Sequence, residues 1–595
     1  MAIFGYIGMN SRKKLINLFY FVLILFSFNL NATINSMSEQ FSRLAADYEK
    51  SLFDYSPELG IFWGRAGVAL DRFTDYSLTA TMAWQAQEEQ FLIALNALDE
   101  QELKHTSQYA TYLLFKETLE NKKASRLCKE ELWSVDPTFG WHNKLAIVAE
   151  KQPVGTTEYR QLALSRWRSF ASVVDTQIVN LKTGLSLGYS APKPAVIRVL
   201  TQLKLMTGAR VEESPFFVFA KRDSDELFKE QIRELILQEI NPALKKYQDY
   251  LENEYLLAAR SEVGVWAIPE GEQCYQNKIR EYTTLEISPQ EIHQLGLAKM
   301  EKLTEEIADI GMKKYGTKDM ATIFQRAQEE SLHAFSTEQD LLDYNFAALN
   351  RAKAKVKDWF DLMPKAEGTI KPFPLHRAKT GASGEYHPPS EDGKEPGVFF
   401  INTFEAEKRS RIDKEATLFH ELVPGHHFQI ALVYEDKAIP HLNRYLWNSG
   451  FGEGWALYAE RLADEMGLYC DDISRLGMLS NEALRAARLV VDTGMHALHW
   501  RREQAIDYLV QHTALDPNLI EGEVDRYLMM PGQATSYMLG KTMIEDLREM
   551  AKKRLGSAFD IRQFHNQVLK NGVVSLTMLR QQIKNWLHDW QSEEV

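Results

Sequence analysis

Residues 413–430 read Asp413-Lys414-Glu415-Ala416-Thr417-Leu418-Phe419-His420-Glu421-Leu422-Val423-Pro424-Gly425-His426-His427-Phe428-Gln429-Ile430. The pattern is helical on both sides of Pro424-Gly425, and the interruption falls inside a His-Glu motif. In the common zinc-peptidase arrangement, two His four residues apart share a helix face and bind the metal. The Glu after the first His is the general base. Here His420 and His426 are six apart, so on a straight helix their side chains would diverge by about 120°. Pro424 cannot donate an N–H to the carbonyl of His420, and Gly425 tolerates unusual dihedrals. Looping out these two residues restores the spacing, since the remainder reads His-Glu-Leu-Val-His. His427 faces nearly the same side as His420 but sits about 10.5 Å along the axis, too far to share an ion bound at about 2.1 Å. The expected ligands are therefore His420 and His426, with Glu421 as base and His427 behind the ligands or in the substrate cleft.

A catalytic zinc takes three protein ligands and keeps one position open. The next candidate lies in Gly452-Glu453-Gly454-Trp455-Ala456-Leu457-Tyr458-Ala459-Glu460. A carboxylate in an apolar helix start is costly unless paired with charge, and zinc supplies that charge. Glu453 is thus the expected third ligand. Glu460, seven residues on and on nearly the same face, is placed to accept from the far nitrogen of a ligating His.

With these residues in hand, the sequence resembles the large bacterial family catalogued as domain of unknown function 885, placed among the gluzincin peptidases. The resemblance runs over most of the chain. It includes Tyr55-Ser56-Pro57-Glu58, Tyr282-Thr283-Thr284, Glu291-Ile292-His293-Gln294-Leu295-Gly296, the stretch from Pro396-Gly397 to Asn402, and the interrupted His-Glu motif. It continues through the Glu-Gly-Trp block, Val491-Asp492-Thr493-Gly494-Met495-His496, Arg502-Glu503-Gln504-Ala505 and Pro531-Gly532-Gln533-Ala534. The interrupted motif is similar to the one-residue interruption in dipeptidyl peptidase three, and the Glu-x6-Glu spacing to carboxypeptidase Taq-type enzymes. Cys274 stands where the family is expected to carry an aromatic residue. The resemblance implies one zinc ion on His420, His426 and Glu453, with Glu421 as base. It also implies a mainly α fold, a large helical body divided by a deep cleft, like thimet oligopeptidase and angiotensin-converting enzyme. Those relatives stabilise the oxyanion with a downstream His and Tyr; His496 and Tyr537 are the candidates here, with Tyr527 as substitute for Tyr537. Arg485 and Arg488 are candidates for holding a substrate carboxylate. Asn402, ending an expected edge strand, is a candidate for aligning substrate backbone.

Outside the motif, the first 32 residues stand apart. Arg12, Lys13 and Lys14 precede a nearly unbroken apolar run, Leu15 to Phe28, followed by Leu30-Asn31-Ala32. That run is short for a membrane span, so residues 1–32 read as a signal peptide, with a retained N-terminal anchor as the alternative. No Cys follows it for lipidation. A periplasmic or secreted protein without stable membrane insertion is expected. The formal net charge of −13 and the lack of a basic cluster argue against nucleic-acid binding. Cys128, Cys274 and Cys470 form no metal-ligand spacing; one bridge is possible, without assignment.

Apolar residues recur at helical spacing from Ile232 to Leu251, broken only by Pro242, and again over 289–313, opened by Ser288 as N-cap. The Pro/Gly-rich stretch 364–403 runs into Val398-Phe399-Phe400-Ile401-Asn402, which reads as a strand at the edge of a small sheet beside the zinc-binding helix. The expected organisation is an N-terminal helical region, 33–285, packed into one body with a zinc-binding region, 286–595. The expected activity is hydrolysis of peptide bonds in oligopeptides, through a zinc-bound water with Glu421 as base. A non-catalytic peptide-binding protein and a hydrolase of non-peptide amides or esters are the rivals.

Overall fold

Ser288 opens the helix expected at 289–313: its hydroxyl accepts from the Glu291 N–H while the Glu291 carboxylate accepts from the Ser288 N–H, a reciprocal cap. Pro289 occupies the first turn and Gly316, at φ 70°, ends the helix. The computed structural model describes residues 36–373, 384–390 and 394–593; the expected signal segment lies outside them.

The chain is mainly α-helical with one small sheet. The helices that position the site are α1 (Pro289–Tyr315), α2 (Lys414–Glu421), α3 (His426–Glu435), α4 (Ser449–Glu465), α5 (Asp472–His496), α6 (Pro517–Met529) and α7 (Ser536–Leu555). The long helix α5 lies along α1, and α4 lies along α7. The α4–α7 contact is close because three glycines meet there. A Cβ on Gly540 would fall 1.8 Å from the Gly450 carbonyl oxygen, and one on Gly454 would fall 2.5 Å from Gly540 backbone.

Pro242 does not break the helical run it sits in. The chain passes through a π-helical turn, Ile236–Ile240, just before it, and the stripe Ile232, Leu235, Ile236, Ile240, Leu244, Tyr247 and Leu251 is buried throughout. A wider turn absorbs the missing N–H. One contiguous apolar cluster extends from Phe41 to Leu587.

The sheet has three strands, β1 (Gly368–Pro372), β2 (Gly384–His387) and β3 (Gly397–Ile401), in the order β1-β3-β2. β1 runs parallel to β3 with Gly368 opposite Gly397; β2 runs antiparallel with His387 opposite Val398. The strand read from 398–402 is therefore central, not an edge. Its near-continuous apolar run suits a strand flanked on both sides.

Cys128 and Cys274 form a disulfide across 146 residues, with Cα atoms 5.1 Å apart, and Cys470 is free. Closing so long a loop removes much freedom from the unfolded chain. Replacing both cysteines by Ser is expected to lower unfolding free energy by up to about 5 kcal/mol, read from the urea midpoint.

Candidate metal centre

The insert splits the motif between two helices. The Leu422 N–H still donates to Leu418 O at 2.8 Å, but the chain then leaves the helix over Leu422–Gly425. The Phe428 N–H next reaches back six residues, to Leu422 O at 3.3 Å, instead of four. Two residues are thus looped out, as a break between α2 and α3 rather than a bulge within one helix. The Pro424 carbonyl, freed from the ladder, accepts from the Trp455 indole of α4 at 3.0 Å. Gly425 is required by space: a Cβ there would lie 1.9 Å from His420 O and 2.4 Å from Phe419 O. Gly425→Ala is expected to cost about 2–3 kcal/mol and reduce metal content, checked by thermal melting and elemental analysis.

Asn448 caps α4 by accepting from the Phe451 N–H, which puts Glu453 in the second turn. Its Oε2 lies 3.3 Å from His426 Nε2 and 3.6 Å from His420 Nε2. One donor atom from each residue falls within 4.8 Å of the others. A tetrahedral ion with bonds of about 2.0–2.1 Å holds its donors about 3.3–3.4 Å apart, so the set fits a small divalent cation. Two imidazoles and a carboxylate are also a donor set that zinc accepts readily.

Behind His420, Nδ1 meets Glu460 Oε1 at 2.8 Å, and Glu460 is 1% exposed. That bond favours the tautomer with the proton on Nδ1, leaving Nε2 as a lone-pair donor. Burial alone would lower the His420 pKa, but its bonds to Glu453 and Glu460 outweigh this and raise it to about 9. Burial would raise Glu453, yet the two imidazoles pull it well below the usual carboxylate range. The pocket therefore favours an ionised carboxylate with positive charge beside it, a role a cation takes over from protons. Glu421, the last residue of α2, is half-buried, and its charge acts on both His420 and Tyr386.

The family model described as "bacterial protein of unknown function" matches residues 57–583. The chain belongs to that family, DUF885. Two solved structures, each described as a "putative lipoprotein", share its fold. One, from Colwellia psychrerythraea, is 26% identical with a TM-score of 0.85, covering 94% of this chain and 100% of its own. The other, from Shewanella oneidensis, is 18% identical with a TM-score of 0.72, covering 91% and 99%. No curated protein is detectably similar.

Several other expected site residues of this DUF885 chain are placed differently. His427 turns away from the cluster: one ring nitrogen meets the Tyr386 hydroxyl at 2.9 Å and the other Ala366 O at 3.0 Å. The register-paired glycines Gly368 and Gly397 lie under its ring, where any Cβ would come within 2.8 Å. Asn402 is 2% exposed, and its side-chain oxygen accepts from the Phe404 N–H. It ends a central strand, so no substrate strand adds there. His496 is fully buried with both nitrogens engaged by backbone, Nδ1 accepting from the Val265 N–H and Nε2 donating to Tyr527 O. It has no nitrogen left to offer a substrate, and we assign it a structural role. Arg485 faces Glu460 at 3.7 Å and donates to Asn481 O of its own helix. It supports the His420–Glu460 pair.

The Tyr537 ring lies against two arginines of α5, 5.9 Å from the Arg485 guanidinium and 4.7 Å from that of Arg488. Burial raises its hydroxyl pKa, and the nearby Glu453 charge adds to this. The turn before it is anchored by Asp492, whose Oδ1 accepts from the Tyr275 hydroxyl at 2.6 Å and the Gly532 N–H at 3.0 Å. Burial pushes Asp492 up to about 7. A carboxyl raised in the fold contributes stability that is full below about pH 4 and lost as pH rises through about 7. Asp492→Asn should flatten that decline, read as urea midpoints at pH 5 and pH 8. Tyr386 was not foreseen: it lies 41 residues before His427 and only the sheet pairing brings it there. Gln533, by contrast, sits in the quoted Pro-Gly-Gln-Ala block.

Proposed function

We propose that this DUF885 chain is an extracytoplasmic zinc peptidase. The reading rests on one observation: two imidazoles and a carboxylate converge, with a separate carboxylate, Glu421, adjoining one of them. His420, His426 and Glu453 would hold the ion. When bound, zinc polarises a water molecule and the scissile carbonyl as a Lewis acid. Glu421 takes a proton from the attacking water as its oxygen adds to the carbonyl carbon. It returns that proton to the amide nitrogen as the C–N bond breaks. Glu460 and Arg485 hold the His420 ring in orientation, and the Tyr537 hydroxyl donates to the oxygen that gains charge. Substrate would approach from the side of Glu453 and His426, whose side chains keep 16% and 10% exposure.

Three features support an extracytoplasmic location: the leader-like first 32 residues, the Cys128–Cys274 bridge, and the description of both structural neighbours as lipoproteins.

The test is elemental analysis of the purified chain, then incubation of the zinc-loaded protein with a mixed peptide library read by mass spectrometry. One zinc per chain and new peptide termini are expected. No zinc and no cleavage would remove the reading; zinc without cleavage would leave a metal-dependent binding protein.

A further inference from the structure

The helix that carries Arg485 presents a second arginine one turn on. Arg488 is 6% exposed, its Nε donates to the Tyr527 hydroxyl at 2.7 Å, and its Nη2 donates to Glu523 at 2.7 Å. Its Nη1 is buried and has no hydrogen-bond partner among the described residues. The guanidinium lies over the Tyr537 ring, 4.7 Å from the centroid. Arg526, 9% exposed, shares Glu523 at 3.0 Å and donates to Gln533 Oε1 at 2.7 Å. Two buried guanidiniums thus divide one carboxylate beside Tyr537, whose ring also lies 5.9 Å from the guanidinium of Arg485, the arginine that faces Glu460. The group carries a net positive charge and an unmatched donor, a combination that is costly unless an anion completes it.

A guanidinium fork matches a planar carboxylate in shape and charge. We propose that Arg488, backed by Arg526, binds a carboxylate on the C-terminal residue of the substrate, next to Tyr537. The site then takes peptides whose free end lies close to the bond being cut, and it removes short C-terminal segments. This deepens the peptidase reading and rests on it.

The test separates the two. Glu421→Gln, loaded with zinc, is titrated calorimetrically with an N-acetylated alanine tetrapeptide as the free acid, as its C-terminal amide, and as an amide ending in Asp. The acid should bind at least about tenfold more tightly than the alanine amide. Adding Arg488→Gln should bring the two within about twofold, and Arg488→Lys, which keeps charge without the fork, should recover part of the difference. If the Asp-ended amide binds like the acid, the carboxylate can come from a side chain, which still supports the subsite. Equal binding of acid and amide, including none of either, overturns it, as does a preference that survives Arg488→Gln. Should Arg488→Gln fail to fold by circular dichroism, the acid–amide comparison on Glu421→Gln decides alone. Equal binding with cleavage of the amide by the wild-type chain removes the subsite and leaves the peptidase. Acid-selective binding with no cleavage does the reverse.

Discussion

Glu421→Gln should leave one zinc per chain and lower kcat/KM for peptide cleavage by about 10³–10⁴-fold. The substitution keeps size and shape, and Glu421 is not among the three convergent donors, so the ion keeps its ligands. The amide cannot accept a proton, and the two carboxylates that touch the imidazoles are engaged: Glu453 faces both rings, and Glu460 is turned to Nδ1 of His420. Zinc content by elemental analysis and steady-state kinetics on one preparation check both halves. Activity within tenfold of wild type would rule Glu421 out as the base.

Glu453→Ala should abolish metal binding and, with it, all turnover. Its Oε2 is near both Nε2 atoms at once, so it holds the three-donor geometry together. Removing it leaves two imidazoles whose rings lie 4.8 Å apart at 87°, too few donors for a catalytic zinc site. The helix should survive, because Asn448 caps it and Gly454 packs on Gly540 without help from residue 453. Zinc below about a tenth of an equivalent, with an unchanged far-ultraviolet dichroism spectrum, is the expected pair of results. A variant that retains full zinc would place the third ligand elsewhere.

Much of this was legible because it is local. Ser288, Pro289 and Glu291 announce a helix start within four residues, and Gly316 supplies its stop. The spacing of His420, Pro424-Gly425 and His426 implied two looped-out residues, and the hydrogen bond from Phe428 to Leu422 contains just that excess. Glu453 and Glu460 share a face because seven residues are nearly two turns. What stayed hidden depends on distant pairing. Nothing near Cys128 points to Cys274. The strand at 397–401 became central only when Gly368 and Gly384 paired on either side of it. His496 and Tyr537 looked equally suited to an oxyanion; only the engagement of both His496 nitrogens by backbone from two other segments separated them. Arg485 and Arg488 differ likewise by what lies opposite each one, which spacing along one helix does not reveal.

Consecutive imidazoles in this chain look in opposite directions. His426 points to Glu453, while His427 is wedged against the glycine pair of the sheet and tied to Ala366 and Tyr386. A single peptide unit therefore couples strand position to ligand position. Any shift of β2 that carries Tyr386 with it would pull on the same backbone that sets the His426 imidazole against Glu453.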